Sequence, residues 1–194
     1  MVFPYTAGTA QLTNEPPVMN ERYTLLSIIL HWLTAGLILA LFVIGWSMVD
    51  LPRGPERSAT FALHKSLGLS VLLLSIFRVL WRWRFPAPPY ANNVARWKIR
   101  AARIVHALFY VALFLQPLSG YISSSFSGYK TKWFGLPLPH WGYRDPPLNE
   151  FFTDIHVATS VVLAGLIALH VAGALTHLLA RDGLFSRMLP GRRA

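Results

Sequence analysis

Between Ile155 and Ala180 the chain runs for twenty-six residues without a charged side chain, yet holds three histidines, His156, His170 and His177. A stretch this long and apolar satisfies its backbone in lipid only as a helix, and it is long enough to cross the roughly 30 Å hydrocarbon core of a bilayer. An imidazole is costly there, so histidines inside such a span mark a functional site by default. His156 and His170 are fourteen residues apart. At 100° and 1.5 Å per residue their rings lie about 40° apart around the helix and about 21 Å apart along it. One helix therefore offers two ligands on one face, each near an opposite side of a membrane.

The rest of the chain fits the same solvent. It is 54% hydrophobic and only 13% charged, where a soluble domain carries about 25% charge, and its mean hydropathy is +0.42. The expectation is one all-α domain, an integral membrane four-helix bundle. There is no cysteine, which excludes disulfides, cysteine-ligated iron–sulfur clusters and the thioether attachment of a c-type haem. Any haem would be held by axial histidines alone. Residues 1–22 are polar, contain Pro4, Pro16 and Pro17 and lack a signal-peptide layout. They read as a disordered cytoplasmic tail ahead of a haem domain over 23–182 and a basic tail over 183–194. The net charge of +10 is explained by membrane topology rather than by nucleic acid.

Four spans are expected, over Thr24 to Val49, Phe61 to Trp83, Ile104 to Phe126 with a kink at Pro117, and Ile155 to Ala180. The second is the weakest, because Lys65, Arg78, Arg82 and Arg84 crowd its ends, where long side chains can snorkel. Threading these spans puts Arg22, seven basic residues from Arg78 to Arg103 and four from Arg181 onward on one side. The other side holds Arg53, Arg57, Lys65, Lys130, Lys132 and Arg144. Twelve against six places both termini in the cytoplasm. The loop from Ser127 to Asp154 then lies outside and lids the bundle.

This topology pairs the histidines. His31 lies about two turns into the first span and belongs to the inner half; His64 and His156 fall in the outer half and His170 in the inner half. His31 with His170, and His64 with His156, share a level and suit bis-imidazole ligation of a haem iron. Gly36, Gly45, Gly68, Gly165 and Gly173 would let a wide macrocycle approach the backbones. Isolated intramembrane histidines also serve as interhelical glue or proton relays. Zinc or copper is the rival ligand chemistry, but a tetrahedral site wants its ligands at one point. The basic run from Arg96 to Arg103, with Trp97 interleaved, superficially resembles a nucleic-acid patch, and topology accounts for it.

The chain resembles the bacterial cytochrome b561 family, related to the cytochrome b subunits of hydrogenases and formate dehydrogenases. The resemblance runs from Arg22 to the C-terminus. It is carried by "RYTLLSIILHW" with His31, "LHKSLG" with His64, "RVLWRWRFPAPP" from Arg78, "RIVHALFY" with His106, and "FTDIHVATS…LIALHVAGALTHLL" with His156, His170 and His177. It implies haem ligands on the first, second and fourth helices, at positions matching His31, His64, His156 and His170. It also implies a quinone contact or proton shuttle at His177; capping of the helix end is the other reading. His106 is expected beside the inner haem or on a propionate, and His140 is assigned nothing. Family members can carry basic residues after the Pro-rich turn, where this chain reads Tyr90, Ala91, Asn92, Asn93.

The expected protein is a multi-pass dihaem b-type cytochrome of the bacterial inner membrane. It would pass electrons between a periplasmic donor or acceptor and the quinone pool, with two haems b and ubiquinone as substrate. As an enzyme activity the resemblance implies superoxide:ubiquinone oxidoreductase, as in some members, with Lys65 beside His64 on the approach of an anion at the outer face. Two alternatives stand: the haem-bearing anchor of a multi-subunit dehydrogenase or hydrogenase, docked through the outer loop, and a haem-free proton-coupled membrane protein. Four spans without inverted repeats argue against the latter.

Overall fold

The computed structural model describes residues 22–90 and 94–190. The tail over residues 1–21, the neutral segment 91–93 and the last four residues with Arg192 and Arg193 lie outside the described residues. Four long helices make up the body: α1 Leu25–Asp50, α2 Pro55–Arg84, α3 Arg96–Phe126 and α4 Pro146–Ala180. Each contains a window apolar and long enough to cross a membrane. All four overrun the hydrocarbon. α2, α3 and α4 begin six to nine residues before the expected spans, because polar first turns continue the helix into the interface. Pro55 and Pro146 sit at the first helical turn, where a missing N–H costs nothing. Thr24 caps α1 by accepting from Ser27 N at 3.2 Å, and the Asp145 carboxylate caps α4 by accepting from Leu148 N at 3.0 Å. α3 continues as helix through Pro117.

α1 packs on α2, α2 on α3 and α3 on α4, with no comparable packing of α4 against α1 or α2. The bundle is thus three packed seams around a fourth, looser side. Its small apolar core is Ile38, Val71, Ala112, Leu113, Leu163 and Leu166. Leu163 is midway in sequence between His156 and His170, while Ile38 and Val71 each lie seven residues beyond His31 and His64. The core is therefore a layer between the two histidine levels. Most other large apolar residues face outward, among them Leu39, Val43, Val161 and Leu179, which suits lipid and not water.

The outer connection is shorter than expected. Residues 146–154, expected as loop, are the first turns of α4, started by the Asp145 cap and Pro146. What remains holds a hairpin of β1 Lys132–Trp133 and β2 Leu136–Pro137. Its two-residue turn has Phe134 at φ 46° and Gly135 at φ 91°, the positive values that a tight hairpin turn of this hand demands. The strained Phe134 is held by its N–H, which donates to Ser66 Oγ at 3.0 Å, and Trp133 Nε1 donates to Ser70 Oγ at 3.1 Å. These bonds dock the hairpin on the outer part of α2.

At the other end α4 stops at Arg181, left-handed at φ 50°. A 3-10 turn, Phe185–Met188, then folds back along the bundle. Trp32 Nε1 donates to the Met188 carbonyl at 2.7 Å, and Arg187 donates to the Pro89 carbonyl at 2.7 Å. The segment after α4 is therefore a strap across the inner end as far as the described residues reach.

Candidate functional site

The histidines meet between helices that do not pack on each other, one pair across the α1–α4 side and one across the α2–α4 diagonal. His31 from α1 and His170 from α4 have ring centres 6.1 Å apart toward the end where α1 starts and α4 stops. His64 from α2 and His156 from α4 stand 6.1 Å apart at the opposite end. The structure thus brings together the two pairs expected from topology, at two levels, each from helices that share no broad contact. All four rings are half-buried.

These separations fit an iron between two imidazoles. A metal–nitrogen bond of about 2 Å and about 1.1 Å from nitrogen to ring centre, on each side, give roughly 6.2 Å. Hydrogen bonding at the outer level fits as well. His156 Nδ1–H donates to the Gln116 backbone carbonyl at 2.8 Å, so the neutral ring keeps its lone pair on Nε2. Orienting a metal-binding imidazole through its other nitrogen is the usual supporting interaction. The Gln116 side-chain amide donates to that Nε2 at 3.2 Å and would have to yield the position to a metal. Packing fixes the same rings. A Cβ at Gly120 would meet His156 Cε1 and Nδ1 at 3.0 Å, and one at Gly45 would meet His64 Cε1 at 3.2 Å. Among the described residues His64 Nδ1 is buried without a hydrogen-bond partner, and its ring lies against Gly45.

The inner level is more crowded. Arg78, expected to snorkel toward water, turns inward instead, and its Nη2 donates to His31 Nδ1 at 3.1 Å. A guanidinium inside a span needs such a polar partner. Ligation through His31 Nε2 with a proton on Nδ1 requires Arg78 to leave the ring. His106 from α3 stands 5.5 Å from His170, as does Phe109, so His170 is flanked by three rings. His106 thus sits at the inner level, beside the pair.

The remaining candidates lie at the two ends. Lys65 is half-buried next to His64. At the inner end His177 Nδ1 lies 2.5 Å from Asp182 Oδ2. His140 is exposed in the outer loop. Sequence reasoning missed Gln116 as the partner of His156, Arg78 as that of His31 and Asp182 as that of His177. An arginine inside an apolar span was a visible signal for Arg78; nothing in the sequence marked Gln116. It also missed the polar seam between α3 and α4, where Ser123 Oγ and Thr153 Oγ1 lie 2.8 Å apart and Asn149 Nδ2 donates to the Ser123 carbonyl at 2.8 Å.

A family model and three named relatives match this chain over most of its length. The family model described as prokaryotic cytochrome b561 matches residues 22–191. The chain is 28% identical to a protein of Yersinia pestis named probable superoxide oxidase CybB, over 90% of this chain and 99% of that one. It is 31% identical to cytochrome b561 homolog 2 of Escherichia coli K12, over 91% of this chain and 94% of that one. Cytochrome b561 homolog 1 of the same strain is 26% identical over 89% and 99%. Four apolar helices, histidines meeting between them and this match along nearly the whole chain lead to one conclusion: the chain belongs to the prokaryotic cytochrome b561 family, multi-pass proteins of the bacterial inner membrane that carry haem b and transfer electrons.

Proposed function

We propose that this chain holds two haems b, one between His31 and His170 and one between His64 and His156, and carries single electrons between the periplasmic face and the quinone pool. The observation that carries this reading is the pair of 6.1 Å ring separations stacked at two levels. When bound, haem b supplies a reversible one-electron couple, and the redox chemistry is the cofactor's own. The chain's residues ligate, orient and insulate. Ile38, Val71 and Leu163 exclude water between the two levels. The Gln116 carbonyl holds the His156 tautomer, and the hairpin on Ser66 and Ser70 covers the outer end. The excess of basic residues at the end with the termini supports a cytoplasmic inner end.

For the outer reactant we propose superoxide, on two supports. One is the name of the Yersinia pestis relative; the other is Lys65, a cation beside His64 at that end. The balance is two superoxide ions and two protons with one quinone, giving two dioxygen molecules and one hydroquinone. At the inner end, His177 is the residue proposed to meet the quinone.

The experiment that tests the reading is a spectrum of the purified protein with a haem count. Two low-spin, six-coordinate haems per chain are expected; a colourless protein, or one haem, would overturn it. A second reading has its own observation. Tyr129, Phe134, Leu136, Trp141 and Tyr143 are exposed on the outer loop, as a docking surface for a soluble dehydrogenase subunit would be. Co-purification of such a subunit would favour the anchor role.

A further inference from the structure

His177 does not stand alone at the inner end. Its Nδ1–H donates to Asp182 Oδ2, and Asp182 Oδ1 accepts from Leu184 N at 3.1 Å. One carboxylate thus has two tasks, because a carboxylate only accepts hydrogen bonds. Through one oxygen it fixes the imidazole with its proton on Nδ1. Through the other it starts the strap that ends with Met188 against Trp32 and carries Arg187 against Pro89. The two side chains are each only 24% exposed. The left-handed Arg181 reverses the chain so that Asp182 returns to the last turn of α4. Among the described residues this is the single contact of a carboxylate with a basic side chain at salt-bridge distance, in a chain whose inner end is otherwise dominated by arginine and lysine.

We propose that Asp182 is a positioning residue for proton transfer, holding His177 so that Nε2 exchanges the proton that accompanies quinone reduction. This rests on the reading of His177 as the quinone-facing residue. Reduction of a quinone to its hydroquinone takes two electrons, delivered through the chain from the outer face, and two protons. At each proton step the N–H bond at His177 Nε2 breaks, an O–H bond forms at a quinone carbonyl oxygen, and the ring is reprotonated from the inner aqueous phase. A carboxylate on Nδ1–H keeps Nε2, not Nδ1, as the nitrogen that turns over. The state of Asp182 suits the task. Partial desolvation pushes its carboxyl up, but the hydrogen bonds from His177 and Leu184 and the charges of His177 and Lys98 outweigh this and hold it below the usual carboxylate range. Lys98, from the first turn of α3, is the further charged group bearing on the pair.

Asp182→Asn is the sharp substitution, because it keeps size and one acceptor oxygen. With that oxygen on Leu184 N, the amide donors face His177 Nδ1 and favour the opposite tautomer. Quinone reduction by the haem-loaded protein, with the haems pre-reduced, should slow by about tenfold to a hundredfold, within the range a placed acid–base group contributes. Asp182→Glu, which restores a carboxylate, should recover part of the rate. Haem content and spectra should be unchanged in all variants. His177→Ala is run beside them. If His177→Ala reduces quinone at the wild-type rate, the placement of quinone at this histidine fails and the proposal with it. If His177→Ala is slow but Asp182→Asn matches the wild type in rate, His177 keeps its role and the proposal for Asp182 is overturned.

Discussion

His64 and His156 face each other with ring centres 6.1 Å apart, although α2 and α4 have no broad packing surface in common. Each ring is set by its own neighbours, His156 by the Gln116 carbonyl and Gly120 and His64 by Gly45, so that the two meet across the gap. An iron bonded to both nitrogens would bridge it. The same separation recurs one level down between His31 and His170.

Ligand replacement should therefore divide by level. His64→Ala or His156→Ala should lose one haem and keep the other, and the double variant should lose no more than either single. His31→Ala and His170→Ala should deplete the other haem. Haem content with low-temperature electron paramagnetic resonance separates the two. Loss of the same haem in His31→Ala and His64→Ala would mean that the levels are wrongly paired.

Gly120 should be intolerant of the smallest side chain. An added Cβ would lie 3.0 Å from His156 Cε1 and Nδ1, so the ring has to shift, at a cost of about 1–3 kcal/mol if the overpacking cannot relax. Gly120→Ala should lower occupancy of the outer haem several-fold and spare the inner one. Gly54→Ala, with nothing within 4 Å of the new atom, is the control. Equal haem content in both variants would show that the contact does not position His156.

Charge near the outer level bears on the superoxide reading. An anion steered by a local cation arrives more slowly as salt rises. Rapid-mixing reduction of the haems by superoxide should slow with ionic strength, and more so in Lys65→Glu. Asp50, Glu56, Asp145, Glu150 and Asp154 share that end and dilute the field, so only a local effect is expected. A rate indifferent to both changes would point to a neutral or protein donor.

The strap should come free in acid. The Asp182 carboxyl is lowered from an ordinary value of 3.8 when the strap is docked. The docked form thus binds fewer protons than the released form at a given pH. The anchoring is complete above the ordinary value and is lost as pH falls through the lowered one. Since the chain has no cysteine, a single Ser186→Cys carries a spin label without competition. The label should gain mobility only below about pH 4. Release well above that range would show that the Asp182 carboxylate does not hold the strap.

The helices and the levels of the histidines were legible in the sequence because both follow from one-dimensional quantities. An uncharged run of twenty-six residues is a span whatever surrounds it, and threading alternate spans through a bilayer decides whether His31 and His170 share a depth. Bilayer thickness acts as a ruler along the chain. Polar turns in the interface escaped that ruler, so the start of α4 at Pro146 was read as loop.

Only tertiary structure decided what each histidine touches. The direction of Arg78 depends on whether a partner waits inside the bundle, and that partner lies forty-seven residues away. The Gln116 carbonyl reaches His156 because α3 and α4 pack closely through small polar residues, a contact that no spacing within either helix encodes. Asp182 meets His177 because Arg181 takes a left-handed turn, which folds a tail back over the end of its own helix. Depth is set by the solvent and can be counted along a sequence. Orientation is set by neighbours, and those are chosen only when the helices pack.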